Sequence, residues 1–189
     1  VQFGGQTAIN LTKNLEKVKY PISGTSAKST ELASDRGYFE ELTSSIDVPQ
    51  PPAGTSLNFE EAKKIAKKIN YPVIVRPSFV LGGMAMNIID NEDDLKSYFE
   101  EHDFSNLINP EILIDKYIEG IELEIDAISD GQDILIPGIM MHLEKAGVHS
   151  GDSVAVYPAK GITDQEKNII LEYSKKIAQE IKIVGLMNI

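Results

Sequence analysis

The first residues that could do chemistry are an arginine and two glycines lying within eight positions of each other. Arg76 ends a short apolar run, and Gly82 and Gly83 follow it. A guanidinium forks onto phosphate oxygens, and a glycine pair lets backbone N–H groups approach closely. The pattern therefore indicates a phosphate-binding strand and loop. The alternative is a surface arginine followed by an ordinary hairpin turn.

A second polar segment, residues 146–153, contains two glycines, two serines, a histidine and an aspartate. It is predicted to be a loop between two strands, and such loops often contact ligands. The alternative is a solvated turn in which His149 caps a backbone carbonyl. A Ser-His-Asp triad is not implied, because adjacency in sequence does not supply the geometry of a triad.

A third segment, residues 115–122, leads from a strand through Gly120 into an alternating strand. It is a plausible hinge whose backbone could hydrogen-bond the edge of a base. Glu122, Glu124 and Asp126 alternate with apolar residues, so they share one face of the second strand. Such a face could resemble a metal cluster. For Glu124 and Asp126 we prefer a solvated sheet face.

The chain offers little cysteine or histidine chemistry. It contains no cysteine, which excludes disulfides, thiolate catalysis and zinc–sulfur sites. His102 and His142 stand in no motif and are predicted to be structural.

The composition excludes further classes of function. The net charge of −11 argues against a nucleic-acid-binding surface, which needs clustered Lys and Arg. No apolar run approaches the roughly 20 residues that a membrane-spanning helix needs. Neither Gly-x-Gly-x-x-Gly nor Gly-Lys-Ser/Thr is present, so a nucleotide would be bound without the dinucleotide or P-loop fingerprint.

Hydrophobic periodicity predicts the elements that position these side chains. Asn58 is predicted to cap a helix with Glu61 in capping-box position, and Thr163 and Glu166 repeat this arrangement later. Another helix is predicted over residues 29–46. Strands are predicted at residues 72–77, 87–90, 111–118, 122–130, 134–142, 154–157 and 186–189. Helices mixed with long antiparallel hairpins predict an α+β fold rather than a doubly wound sheet.

Both ends of the chain fall inside apolar runs. Residues 1–3 precede a glycine turn and a helix, as at the end of an α/β unit, and residues 186–189 form the final strand. Natural domains rarely start and stop within strands, so we expect a longer parent protein.

Five blocks, taken together and in order, resemble one family. The blocks are Val1–Thr7, Ile22–Ser26, Val75–Gly83, Ala146–Ser153 and Gly185–Asn188. They resemble the large subunit of carbamoyl-phosphate synthetase, an ATP-grasp ligase, over essentially the whole chain. This subunit has two homologous halves, and the loop ending in Ser150 is similar to the carbamate-phosphorylating half. The bicarbonate-phosphorylating half tends to carry Thr at this position.

The resemblance implies two domains and a set of site residues. Residues 1–28 would end an α/β pre-ATP-grasp domain, and residues 29–189 would form an α+β ATP-grasp domain, incomplete at its C-terminal end. The lid would comprise about residues 71–115, with ATP between lid and body. By the family pattern, Arg76 and Arg36 reach the phosphates as catalytic residues. The implied ATP-binding residues are Arg76, Gly82, Gly83, Lys116 and Ile118 on the adenine hinge, Glu122 on the ribose hydroxyls, and Gly147, Val148, His149 and Ser150 along the ribose and phosphates.

The implied reaction is phosphorylation of carbamate by ATP, giving carbamoyl phosphate and ADP for pyrimidine and arginine synthesis. The implied cofactors are ATP and Mg²⁺ or Mn²⁺, with K⁺ a further candidate. The family's metal ligands, a Gln and a Glu-x-Asn pair, are expected beyond Ile189, so none is expected within this chain. The implied partners are a glutamine amidotransferase small subunit and the other half of the large subunit. The expected location is the cytoplasm, with no nucleic acid or membrane bound.

One departure and two alternatives accompany this interpretation. Met84 stands where the carbamate half usually carries an arginine after the glycine pair, so one phosphate-facing cation would be missing or supplied elsewhere. A different ATP-grasp ligase, such as a relative of biotin carboxylase, is one alternative. The Gly-Val-His-Ser-Gly-Asp segment argues against this alternative, because relatives of biotin carboxylase usually carry other residues there. The other alternative is a regulatory module that binds ATP without turning it over.

Overall fold

The computed structural model describes residues 5–77, 86–102, 104, 111–145 and 153–189. The helices in these ranges are α1 (Gly5–Lys17), α2 (Ala27–Ser34), α3 (Arg36–Ser45), α4 (Phe59–Ile69), α5 (Glu92–Glu101) and α6 (Asp164–Ile181). The strands are β1 (Ala53–Ser56), β2 (Val73–Pro77), β3 (Asn87–Ile89), β4 (Ile112–Lys116), β5 (Ile121–Glu124), β6 (Asp126–Asp130), β7 (Ile134–Leu135), β8 (Met140–Lys145), β9 (Ala155–Val156) and β10 (Val184–Asn188).

The chain divides into two compact units. Unit 1 contains residues 1–50, 123–141 and 156–189, and unit 2 contains residues 51–122 and 142–155. A further three-stranded sheet has the order β5-β8-β9. The predicted domain division after residue 28 stays a prediction.

Unit 2 is built on an antiparallel sheet with the order β1-β4-β2-β3. Strand β2 alternates, with Val73 and Val75 fully buried and Arg76 exposed. The buried face packs on the apolar sides of α4 and α5, where Leu95 and Tyr98 complete the core. Each helix begins at an asparagine, Asn58 or Asn91, whose side chain accepts a hydrogen bond from the backbone three residues on.

Unit 1 contains the antiparallel sheet β10-β6-β7 and helices α1, α2, α3 and α6. The predicted capping box of α6 is confirmed, because Thr163 and Glu166 bond reciprocally through side chain and backbone. Helix α6 places Ile177 and Ile181 in a core with Val48 and Ile183. A second core forms under the sheet around Ile125, Ala127 and Ile139.

The α+β prediction is confirmed, but three predicted elements are each divided in the structure, and one strand was not predicted. The helix predicted over residues 29–46 is interrupted at Asp35, which is extended and caps α3 by accepting from the N–H of Tyr38 at 3.1 Å. The strand predicted at 122–130 is split at Ile125 into β5 and β6, which belong to different sheets. The backbone of Ile125 pairs with Ile189 at 2.8 and 3.0 Å, which continues the register of β6 with β10. The strand predicted at 134–142 becomes β7 and β8, and β1 follows the proline connector without having been predicted.

Candidate functional site

Arg76 lies one residue before the end of β2, on the sheet face opposite α4 and α5. Its Nε stands 3.7 Å from a carboxylate oxygen of Asp115, with side-chain exposures of 46% and 17%. Asp115 faces Ile74 across the sheet, and cross-strand partners share a face, so the two charged side chains lie on the same side. An ion pair this long and exposed is weak. A phosphate could therefore compete with Asp115 for the guanidinium.

Lys116 ends β4 and uses its ammonium on the backbone. Its Nζ donates to the carbonyl oxygens of Asn70 and Tyr71 at 3.0 Å each and of Pro72 at 3.3 Å. An ammonium has three N–H donors, so these three acceptors occupy all of them. Lys116 therefore ties the end of β4 to the turn between α4 and β2. A ligand could receive a hydrogen bond from this ammonium only by displacing one carbonyl.

Arg76 and Lys116 belong to adjacent strands but leave the sheet on opposite faces. In the antiparallel register Lys116 is opposite Val73, and Arg76 is opposite Leu113. Val73 points into the core under α4 and α5, so Lys116 emerges at the rim of that face. The two positions are three residues apart along the strands, or roughly 10 Å at the usual rise. A single ligand could contact both side chains only by extending around the end of the sheet from one face to the other.

The turn that Lys116 holds also contains Tyr71. Its phenolic oxygen is buried without a hydrogen-bond partner among the described residues. Burial raises the pKa of Tyr71, Glu92 adds to the rise, and Lys63 opposes it. The phenol is therefore neutral at physiological pH, and Tyr71 is part of the core rather than of the candidate site.

The remaining predicted site residues are only partly within the described chain. Ile118 is exposed after β4, and Glu122 is half-buried on β5, so unit 2 contains both together with Arg76 and Lys116. Arg36 is the first residue of α3 in unit 1, and its side chain is not among the described atoms. Six predicted positions and the departure at Met84 lie outside the described residues. These positions are Gly82, Gly83, Gly147, Val148, His149 and Ser150.

The chain segments flanking residues 146–152 are joined to each other. His142 is buried, and its Nδ1 shares a short hydrogen bond with the Ser153 hydroxyl. Two further hydrogen bonds lie beside this one. Leu143 N–H donates to Val154 O at 3.0 Å, and Val154 N–H donates to a Glu144 carboxylate oxygen at 2.7 Å.

Unit 1 contains a carboxylate–amide group that sequence reasoning missed in part. The side-chain nitrogen of Asn188 donates to Glu124 at 2.5 Å and to Asp126 at 2.9 Å. Strand pairing brings this about, since Asn188 is the register partner of Asp126. The only sequence signal was the alternation of Glu124 and Asp126, which does not reveal the partner strand.

The group formed by Glu124, Asp126 and Asn188 does not fit a metal-binding site. Mg²⁺ is bound by oxygen ligands, but here an amide nitrogen meets both carboxylates. Within the described ranges no group of three or more His, Asp or Glu side chains could hold a metal ion. We therefore assign no metal ligand to these residues. The same ranges contain no helix long and apolar enough to cross a membrane.

Known proteins resemble this chain in both sequence and fold. Residues 35–189 match the family described as carbamoyl-phosphate synthase L chain, ATP binding domain. Biotin carboxylase from Campylobacter jejuni, in a β-γ-ATP complex, has a TM-score of 0.78 and 23% identity over 95% of this chain and 42% of its own.

Two further solved structures extend the comparison. The biotin carboxylase domain of Hydrogenobacter thermophilus 2-oxoglutarate carboxylase, in complex with MgADP, ADP and bicarbonate, has a TM-score of 0.75 and 25% identity over 95% of this chain and 41% of its own. D-alanyl-alanine synthetase A from Vibrio cholerae O1 biovar eltor has a TM-score of 0.76 and 15% identity over 98% of this chain and 59% of its own. The chain thus spans less than two thirds of these proteins. The predicted ATP-grasp fold, present in part, is confirmed.

Proposed function

Because this chain belongs to the family of ATP-binding domains of the carbamoyl-phosphate synthase L chain, we propose that it phosphorylates carbamate with ATP to give carbamoyl phosphate and ADP. The family and fold are those of ATP-dependent ATP-grasp ligases. The choice of carbamate is supported by the loop that ends in Ser150, which is similar to the carbamate-phosphorylating half.

The observation that carries the proposal is the placement of Arg76. The side chain leaves β2 on the face that the core helices do not cover, and its ion pair with Asp115 is weak. A triphosphate offers a guanidinium charge-assisted hydrogen bonds that are stronger than this exposed pair. Arg76 would then orient the phosphates and offset their charge. Local cations are needed for this because the chain carries a net charge of −11.

The proposed chemical step is a phosphoryl transfer. A carbamate oxygen forms a bond to the γ-phosphorus, and the bond from that phosphorus to the bridging oxygen of ADP breaks. Such a step requires positioning and charge neutralisation more than covalent chemistry from the protein. Mg²⁺ or Mn²⁺, when bound, would neutralise phosphate charge. Arg76 and Arg36 are the arginines proposed to share this task.

We assign the other predicted residues to binding. Lys116 would support the hinge through the turn that it holds, and its ammonium would reach the nucleotide only after releasing a carbonyl. Ile118 offers an exposed apolar side chain next to that hinge, suited to the face of a base. Glu122 offers carboxylate acceptors for ribose hydroxyls. Gly82, Gly83 and the residues 147–150 remain predicted contacts.

We also propose the context that the resemblance implies. A glutamine amidotransferase small subunit would supply ammonia, and the other half of the large subunit would supply carbamate. The product would serve pyrimidine and arginine synthesis in the cytoplasm. K⁺ remains a candidate activator without a described ligand set.

The test is substitution of Arg76 in the full-length protein. Arg76→Ala should weaken ATP binding by about 1.5–3 kcal/mol, or roughly 10- to 150-fold, because one charge-assisted interaction is lost. Carbamate-dependent ADP release and carbamoyl phosphate formation measure the effect. Lys96→Ala, which removes an exposed charge from α5 of the same unit, is the matched control. Unchanged ATP affinity and yield in Arg76→Ala would overturn the assignment.

The second candidate is another ATP-grasp carboxylate ligase. The biotin carboxylase folds at TM-scores of 0.78 and 0.75 favour it. ADP release that depends on bicarbonate and biotin, and not on carbamate, would select this candidate. ATP binding without ADP release on either substrate would select the regulatory module.

A further inference from the structure

We propose that Asp115 is a positioning residue for the Arg76 guanidinium: it holds the Nε side of that group, so that the terminal nitrogens are presented to the phosphates of ATP. This inference rests on the proposed function, because Arg76 is the residue assigned there to the phosphates. The sequence placed Asp115 only at the start of a hinge segment. Asp115 itself is not proposed to touch ATP.

Asp115 is the fixed member of the pair. It lies on β4, a central strand that pairs with β1 on one side and with β2 on the other. Its side chain is 17% exposed, whereas that of Arg76 is 46% exposed. A long arginine side chain also has more rotamer freedom to lose than an aspartate. The carboxylate therefore restrains the guanidinium, rather than the reverse.

Stability of the sheet alone does not favour a carboxylate at position 115. The register partners of Asp115 are Ala53 and Ile74, so an apolar residue flanks it on each side. Removing a charged group from water costs free energy unless an opposite charge compensates for it. An apolar side chain between Ala53 and Ile74 would avoid this cost. Arg76 is one charged partner of Asp115, which also takes part in a further interaction.

The position of Asp115 leaves the terminal nitrogens of Arg76 open to a ligand. The Asp115 oxygen lies 3.7 Å from Nε, and among the described residues Arg76 has no other ion pair or hydrogen bond. A guanidinium carries five N–H donors, of which only one is on Nε. The donors on the terminal nitrogens can bind a phosphate through the two parallel bonds that arginine forms with it. A phosphate therefore need not displace Asp115.

Asp115 has two opposing effects on the affinity for ATP. Its carboxylate repels the phosphates, and it also restricts the guanidinium to the orientation that binds them. The repulsion is weakened because the guanidinium cation lies between the two anions. An unrestrained, exposed arginine would instead lose its side-chain freedom at the moment of binding. We therefore expect positioning to be the larger effect, and to change the affinity about three- to tenfold, as the ordering of one long side chain does.

The test is calorimetric titration of the full-length protein and its Asp115 variants with Mg-ATP. Asp115→Leu removes the carboxylate and suits the apolar neighbours, so the protein should stay folded, and its ATP affinity should fall about three- to tenfold. Asp115→Asn keeps an oxygen acceptor at the same distance from the backbone and should stay within about twofold of wild type. Asp93→Asn, which removes an exposed carboxylate from α5 of the same unit, is the control for net charge.

A double-mutant cycle isolates the effect that passes through Arg76 from the further interaction of Asp115. Asp115→Leu is introduced into Arg76→Ala, a background in which no guanidinium remains to be positioned. We expect no further loss of ATP affinity there, within about twofold. A contribution of Asp115 through any other contact would persist in this background.

Two results would overturn the inference while leaving the proposed function intact. One is an ATP affinity of Asp115→Leu that equals or exceeds that of wild type, which would mean that repulsion is the larger effect. The other is a loss that persists in the Arg76→Ala background. If Arg76→Ala itself binds Mg-ATP as wild type does, the assignment of Arg76 to the phosphates fails, and the inference fails with it. Because no carbamate is present in the titration, failure of the proposed reaction would not change these outcomes.

Discussion

Removal of the Lys116 ammonium tests whether this residue stabilises the fold or binds the ligand directly. Lys116→Met keeps a long apolar stem and removes all three donors from the carbonyls of Asn70, Tyr71 and Pro72. The β4 backbone should stay in place, because Lys116 N–H donates to Pro52 O at 2.8 Å independently of the side chain.

The magnitude follows from the three contacts. Hydrogen bonds to a charged group contribute about 1.5–3 kcal/mol each in favourable cases. Two of the three are only partly buried and one is exposed, so water can replace the ammonium at each carbonyl. We therefore expect a total loss of about 1.5–3 kcal/mol rather than three times that figure. For a domain of this size the Tm should fall by roughly 3–12 °C.

Thermal and urea denaturation measure the loss. Lys64→Met is the matched control, because Lys64 is an exposed lysine on α4 of the same unit and its removal changes the net charge equally. It should change the Tm by less than about 2 °C, as a surface substitution does. A Tm for Lys116→Met equal to that of Lys64→Met would refute the proposal that the Lys116 ammonium stabilises the fold by binding these three carbonyls. If ATP binding were lost at the same time, a direct contact between the Lys116 ammonium and the nucleotide would be the better account.

Two further perturbations follow from local geometry. Gly54→Ala should destabilise unit 2 by about 1–3 kcal/mol in urea denaturation, because a Cβ there would lie 2.9 Å from Cγ2 of Ile65; a neutral or stabilising effect would mean that α4 can shift away from β1. In the cap of α6, the backbone N–H of Thr163 and then its hydroxyl lower the pKa of Glu166 from its ordinary 4.5. A carboxyl whose pKa is lowered by folding stabilises above its unfolded pKa and loses this contribution as the pH falls through the folded value. The stability difference between wild type and Glu166→Gln should therefore be complete above pH 4.5 and shrink below it, and a difference that persists unchanged at pH 3 would contradict this cap.

Local chemistry was readable from the sequence. The cap at Asn58 and the capping box of Thr163 and Glu166 depend on residues three positions apart, so no tertiary contact is needed to predict them. The short apolar run that contains Val73 and Val75 likewise predicted a strand with Arg76 near its end. Motifs in register predicted the ATP-grasp fold, which the comparisons confirmed. The choice of carbamate as substrate stays a prediction.

Tertiary structure decided what depends on partners distant in the chain. The break at Ile125 reflects the change from the sheet of β5 to the sheet of β6, and no local pattern reveals that the two halves pair with different strands. Strand register put Asn188 between two carboxylates, an arrangement that alternation within β5 and β6 did not disclose.

The faces of Arg76 and Lys116 were decided in the same way. Each lies in a predicted strand, but only the antiparallel pairing of β2 with β4 shows that the two side chains leave the sheet on opposite sides. A one-residue change in register would have brought them to the same side, because side chains alternate with a period of two. Sequence therefore determined which residues could act, and the long-range pairing of strands determined which of them can act together.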